Sequence, residues 1–221
     1  CLVLCVGTQG AEEKKLFGVP LKPDPPPAVD GRLDEWSGVP NALTVADKAH
    51  CVYSPAKWQS PADLGARVWL AWRNEHLYLA VDVTDDRHVQ KRAGDAMWQG
   101  DHIELYLDLL PGFETERRAF GEGQMHFGFS PGSLERTGDP LTDVPAQGVV
   151  FRPAGAAATG VLVAAQKTER GYVLEAAVPW ALLWSLAKRD AKTPEIGLPF
   201  AVEVGISDTD GTEPTQEKMM T

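Results

Sequence analysis

Apolar and polar positions alternate along most of this chain with the two-residue period of half-buried strands. Val68, Leu70 and Trp72 share one side of a run that also holds Trp69 and Ala71. After the connection Arg73-Asn74-Glu75, the residues Leu77, Leu79, Val81 and Val83 continue the pattern, so the pair reads as an antiparallel hairpin. In His102–Asp108, Ile103, Leu105 and Leu107 point one way and His102, Glu104, Tyr106 and Asp108 the other. In Gln124–Ser130, Met125, Phe127 and Phe129 take the core side, which turns Gln124 and His126 away from it. Shorter strands are expected at Leu43–Ala46, Val149–Phe151 and Val161–Ala165, with two more core faces at Tyr172, Leu174, Ala176, Val178 and at Phe200, Val202, Val204, Ile206. Pro179 suits the first turn of a helix and opens the one convincing helical stretch, Trp180–Ala187. About eight or nine strands in hairpin order, with no βαβ alternation, predict an all-β fold: an antiparallel β-sandwich, jelly-roll or immunoglobulin-like, with one short helix.

The ends of the chain break this pattern. Residues 1–11 begin with the apolar run C-L-V-L-C-V-G and continue small and polar, which reads as the remnant of a signal peptide and points to an exported protein: secreted, periplasmic or on the cell surface. A buried first strand is the alternative reading of the same residues. Residues 12–29 carry five prolines between Gly18 and Val29 and form an extended lead-in, leaving 30–221 as the sandwich. No run is long and apolar enough to be a transmembrane helix. A formal charge of −10 argues against nucleic acid, which needs a basic footprint, and suits a neutral ligand.

The chemistry that remains is sparse. No nucleophile elbow, zinc-binding H-E-x-x-H, P-loop or dinucleotide fingerprint occurs. Glycoside hydrolysis needs two carboxylates at a set separation, but Glu104, Glu175 and Glu203 sit on non-core strand faces where solvated acids are ordinary. The chain is therefore read as not an enzyme, although it could belong to a glycoside-degrading protein. Asp85-Asp86 and Asp208-Thr209-Asp210-Gly211 are oxygen-rich loops of the kind that hold calcium, or else plain turns. No other cofactor is required. Trp98 and Asp101 precede the strand that bears Glu104, and a flat aromatic beside two carboxylates makes a polyol-binding patch. Trp98 fits equally well as a plug at the end of the sandwich.

Five segments in order, D-G-R-L-D-E-W (30–36), W-R-N-E-H-L-Y-L-A-V-D-V-T-D-D (72–86), W-Q-G-D-H-I-E-L-Y-L-D (98–108), G-Y-V-L-E-A-A-V-P-W (171–180) and V-E-V-G-I-S-D-T-D (202–210), resemble the family 9 carbohydrate-binding modules. The resemblance implies an extracellular bacterial β-sandwich that binds poly- or oligosaccharides, with structural calcium in some members. It places Trp98 as one of two tryptophans that sandwich a sugar, Glu104 as a carboxylate bonding sugar hydroxyls, and Asp101 as the aspartate at the strand mouth. Gln124 and His126 join them as hydrogen-bonding groups. The pattern would have arginine at His126 and asparagine at Gly128, and a second tryptophan beyond the last strand. On that reading the domain is truncated or another residue supplies the second wall, for which Trp58 in the long loop is the candidate. Two alternatives stand beside sugar binding: a b-type haem, electron-transfer domain using Met97, Met125, His102 or His126 as axial ligands, and a structural interaction module with a decayed sugar site.

Overall fold

The alternating segments form two stacked sheets in a computed structural model that describes residues 2–6, 15–22, 24–110, 119–139, 143–211 and 215–221. Among these residues the strands are β1 (Leu2–Val6), β2 (Lys15–Val19), β3 (Leu43–Val45), β4 (Cys51–Tyr53), β5 (Leu64–Trp72), β6 (His76–Asp85), β7 (His102–Asp108), β8 (Gln124–Ser130), β9 (Gln147–Arg152), β10 (Leu162–Thr168), β11 (Gly171–Pro179), β12 (Pro199–Asp208) and β13 (Lys218–Met220). One α-helix, α1 (Trp180–Leu186), follows β11. The larger sheet runs β2-β1-β12-β7-β8-β9, with β13 paired to β12 and β4 to β13; the smaller runs β10-β11-β6-β5-β3. Pairing is antiparallel except that β1 lies parallel to β12. The all-β sandwich with one short helix is therefore the architecture of this chain.

The expected core faces all point inward. Ile103, Leu105, Leu107, Met125, Phe127, Phe129, Phe200, Val202 and Ile206 from the larger sheet meet Leu70, Trp72, Leu77, Leu79, Val81, Val83, Tyr172 and Leu174 from the smaller. Trp180, Leu183 and Trp184 of α1 cap one end of that core. Three strands lie where the sequence shows no alternation: β2 in the lead-in, β4 in the long loop and β13 in the polar tail. Each spans only three to five residues and takes its register from a neighbouring strand. Residues 2–6 of the expected signal-peptide remnant run as β1, while residues 1 and 7–14 lie outside the described residues.

The smaller sheet is covered on its outer face as well. Trp69, Ala71, Tyr78, Ala80 and Ala177 are buried there with Trp36, under Val29, Leu33, Val39 and Ala42. Burial on both faces explains why β5 reads as a nearly continuous apolar run. Glu175 anchors this cover, and its expected solvation is corrected by the structure: it is 1% exposed. Its Oε2 accepts the backbone N–H groups of Asp30, Gly31 and Arg32 at 3.0, 2.8 and 3.2 Å, and its Oε1 accepts the Trp36 indole N–H at 2.7 Å. Burial pushes the carboxyl up while these donors pull it back. Trp36→Phe keeps the ring but removes one donor to a buried carboxylate, so a loss of about 1–3 kcal/mol in denaturant-measured stability is expected. An unchanged midpoint would show that the segment is not held through this bond.

Candidate functional site

On the outer face of β7-β8-β9, side chains from three adjacent strands and the turn before β7 enclose an open cleft of about 540 Å³. The turn is a short 3-10 helix, Gly94–Gln99, held at its base by buried Met97, and it presents Trp98 to the cleft with 44% of its surface exposed. β7 sends in Glu104 and Tyr106, β8 sends in His126, and β9 ends the row with Phe151 and Arg152. Phe120 stands at the rim, 48% exposed. Tyr106 and His126 are direct cross-strand partners, and their rings stack at 4.1 Å with 14° between planes. Phe120 continues the stack at 6.1 Å from His126, and Phe151 tilts against the same imidazole at 4.9 Å. The result is a broad aromatic surface around the Glu104 carboxylate, with a second carboxylate, Asp95, also on the lining.

That carboxylate, Glu104, is 6% exposed and held by its neighbours. His102 Nε2 lies 3.0 Å from Oε1, the Tyr106 hydroxyl donates to Oε2, and His126 Nε2 sits 3.3 Å from Oε2. Burial alone would raise its pKa, but the contacts from His102, His126 and Tyr106 outweigh it and hold the carboxyl well below the usual range. The same burial, with the anion beside it, pushes the Tyr106 phenol well up. Glu104 is thus a fixed anion, an acceptor of hydrogen bonds and not a proton donor.

The structure brings together Trp98, Glu104 and His126 from the predicted site and separates the rest. Asp101 is 1% exposed and turned the other way: Oδ1 accepts the Thr209 N–H at 2.8 Å, Oδ2 accepts the Val89 N–H, and His88 Nδ1 is 3.1 Å from Oδ2. A residue at a strand mouth can face either side, and these loop N–H groups fix this one inside. Gln124 lies at the far end of β8, its amide spent on Asp108 (3.0 Å) and the Gly121 N–H (2.9 Å). Trp58 packs against the main core and donates to the Leu64 carbonyl at 2.8 Å, so it forms no wall of this cleft. The haem ligand set is not assembled either. Met125 is a core residue of β8 while His126 lies on its other face, and both His102 ring nitrogens are already engaged.

Tyr106, Phe120, Phe151 and Arg152 line the cleft without having been singled out in the sequence. For Tyr106 the signal was there, since it shares the strand face of Glu104. Phe151 and Arg152 depend on a strand irregularity that no local pattern announces.

The two oxygen-rich loops, far apart in the chain, meet at one end of the sandwich. Oxygen atoms of Asp85, Asp208 and Asp210 lie within 4.8 Å of one another, as do those of Asp63, Asp86 and Asp210. Lys218 of β13 reaches into this cluster with its ammonium 2.6 Å from Asp63, 3.1 Å from Asp208 and 2.6 Å from Asp210. One ammonium does not balance so many buried acids. Burial and the neighbouring Asp101 push Asp208 up to about 9 and Asp85 up to about 7, even with Lys218 and His88 pulling them down. Among the described residues, Asp85 Oδ2 and both Asp208 oxygens lack an aligned hydrogen-bond donor. An all-oxygen donor set so crowded that its carboxyls are driven to hold protons fits a hard divalent cation such as calcium, which would replace those protons.

Comparison with known families and structures follows the same lines. A family model described as "Carbohydrate family 9 binding domain-like" matches residues 29–221. Among solved structures, a family 9 carbohydrate-binding module from Caldicellulosiruptor kristjanssonii in complex with cellotriose matches with a TM-score of 0.60 at 15% identity, over 91% of this chain and 80% of that one. A module of the same family from that organism in complex with glucose gives a TM-score of 0.58 at 15% identity, over 91% and 83%. At that identity the structural match speaks for the fold. Comparison with curated proteins finds no match.

Proposed function

The chain belongs to the carbohydrate family 9 binding domain-like family, and we propose that it binds a saccharide in the β7-β8-β9 cleft, without catalysis, as a module of an exported protein. The observation that carries this reading is Trp98, a large aromatic left 44% exposed beside a buried, ionised carboxylate. An indole face suits the apolar face of a pyranose ring, and Glu104 and His126 offer polar atoms on the same side. Cellotriose and glucose in the two similar modules make β-glucosides the first ligands to try. Held ionised by its neighbours, Glu104 suits accepting hydrogen bonds from sugar hydroxyls rather than giving up the proton that a glycosidase acid must supply. No helix among the described residues is long and apolar enough to cross a membrane.

Each sugar hydroxyl exchanges water for protein and nets only about 1 kcal/mol, so affinity is expected in the micromolar range or weaker. Trp98→Ala is expected to weaken cellotriose binding at least about tenfold, roughly 1.4 kcal/mol. Because Trp98 is exposed, the melting temperature should stay within the small range of surface substitutions. Calorimetry with cellotriose on both proteins tests this; equal affinities would remove Trp98 from the site. A structural calcium ion at Asp85, Asp208 and Asp210 belongs to the same proposal: it would supply positive charge to the loops that close one end of the sandwich.

A further inference from the structure

β9 meets β8 with a shift of register: Arg152 pairs with His126 and Val150 with Phe127, which leaves Phe151 as the extra residue of a bulge. In a regular strand Phe151 and Arg152 would point to opposite faces. Here Val150 is buried in the core and only borders the cleft from beneath, while Phe151 and Arg152, with more of their surface open, both line it. The ring of Phe151 crosses over Gly128: a β-carbon there would fall 2.4 Å from a ring atom, so only glycine leaves the ring its place. His126 and His102 brace that ring at 4.9 and 6.4 Å. The Arg152 side chain is exposed and, among the described residues, bonds only the Phe151 carbonyl, at 2.8 Å, and makes no ion pair. Glu104, by contrast, already has much of its accepting capacity taken by His102 and Tyr106.

We infer that Phe151 and Arg152 are ligand-contacting residues, the ring giving the cleft a second apolar surface beside Trp98 and the guanidinium donating to adjacent hydroxyls of a neutral pyranose. The inference rests on the proposed sugar site. A planar fork of N–H donors matches two neighbouring oxygens, which a single histidine cannot do. The aromatic second surface therefore comes from the bulged edge strand, at a position made available by Gly128.

The test is calorimetric titration of cellotriose into the wild type, Trp98→Ala, Arg152→Ala and Phe151→Leu, with a thermal melt of each. Arg152→Ala is expected to weaken binding about fivefold or more with an unchanged melting temperature, since the side chain supports no other part of the fold. Phe151→Leu is expected to weaken it comparably while keeping the bulge filled. If the wild type binds and Trp98→Ala does not, yet Arg152→Ala and Phe151→Leu both bind within twofold of the wild type, this inference is overturned and the sugar site stands. A wild type that binds no saccharide overturns both.

Discussion

Lys218→Met is expected to destabilise the fold by about 3–5 kcal/mol, the usual cost of stripping the partner from buried charges. For a chain of this size that is a fall in Tm on the order of 10 °C. The side chain is 1% exposed, and its ammonium is the direct counter-charge of Asp63 and Asp210 and lies 3.1 Å from Asp208. Methionine fills a similar volume, so the loss would come from charge and not from a void. It would also loosen β13, which is held to β12 opposite Asp208 and to β4 by few other bonds. If the cluster accepts divalent cations, calcium should recover part of the lost stability in this variant. A Tm within about two degrees of the wild type would show that Lys218 is not what neutralises the cluster.

The second large effect is on the pH dependence of stability. Asp85 and Asp208 bind protons more tightly in the folded chain than in the unfolded one, at about 7 and about 9 against 3.8. Between those values the native state holds more protons than the unfolded state, so stability falls as pH rises through the window. At about 1.4 kcal/mol for each pH unit, Asp85 alone contributes a decline on the order of 4 kcal/mol between pH 4 and 7. Asp208 extends the decline toward pH 9. The groups that set it are Asp63, Asp85, Asp101, Asp208 and Asp210 on one side, and Lys218 and His88 on the other. A bound divalent cation would favour the ionised acids and flatten the slope. Melts from pH 5 to 9 are therefore expected to decline in chelator and to level out with millimolar calcium. Curves that rise with pH in chelator would contradict the charge balance drawn here, and curves that overlap would remove the calcium site.

The sandwich was legible because its longer strands alternate cleanly: β6, β7, β8, β11 and β12 all show their core faces in the order of residues. What stayed hidden depended on neighbours far along the chain. Glu175 looks solvated on β11 until residues 29–42 fold over it. Lys218 sits in a polar tail, and its burial is made favourable by Asp63, 155 residues earlier, together with Asp208 and Asp210 at the end of β12. In the cleft, alternation placed Glu104 and His126 on one face and so found two of its members. The side toward which Asp101 turns is set by the N–H groups of Val89 and Thr209, which lie 12 and 108 residues away. The bulge that aims Phe151 and Arg152 is a property of strand pairing, and its one trace in the sequence is the glycine at 128.

The central claim is that a saccharide stacks on Trp98, and the indole N–H signals of the seven tryptophans report on it directly. Six of these rings, including Trp58, lie in the cores or pack against them, and only Trp98 opens into the cleft. Titration with cellotriose is expected to shift the Trp98 indole resonance progressively and to saturate, while the other six stay in place. A saturable shift at Trp58 with Trp98 unmoved, or no shift at any indole, would contradict it.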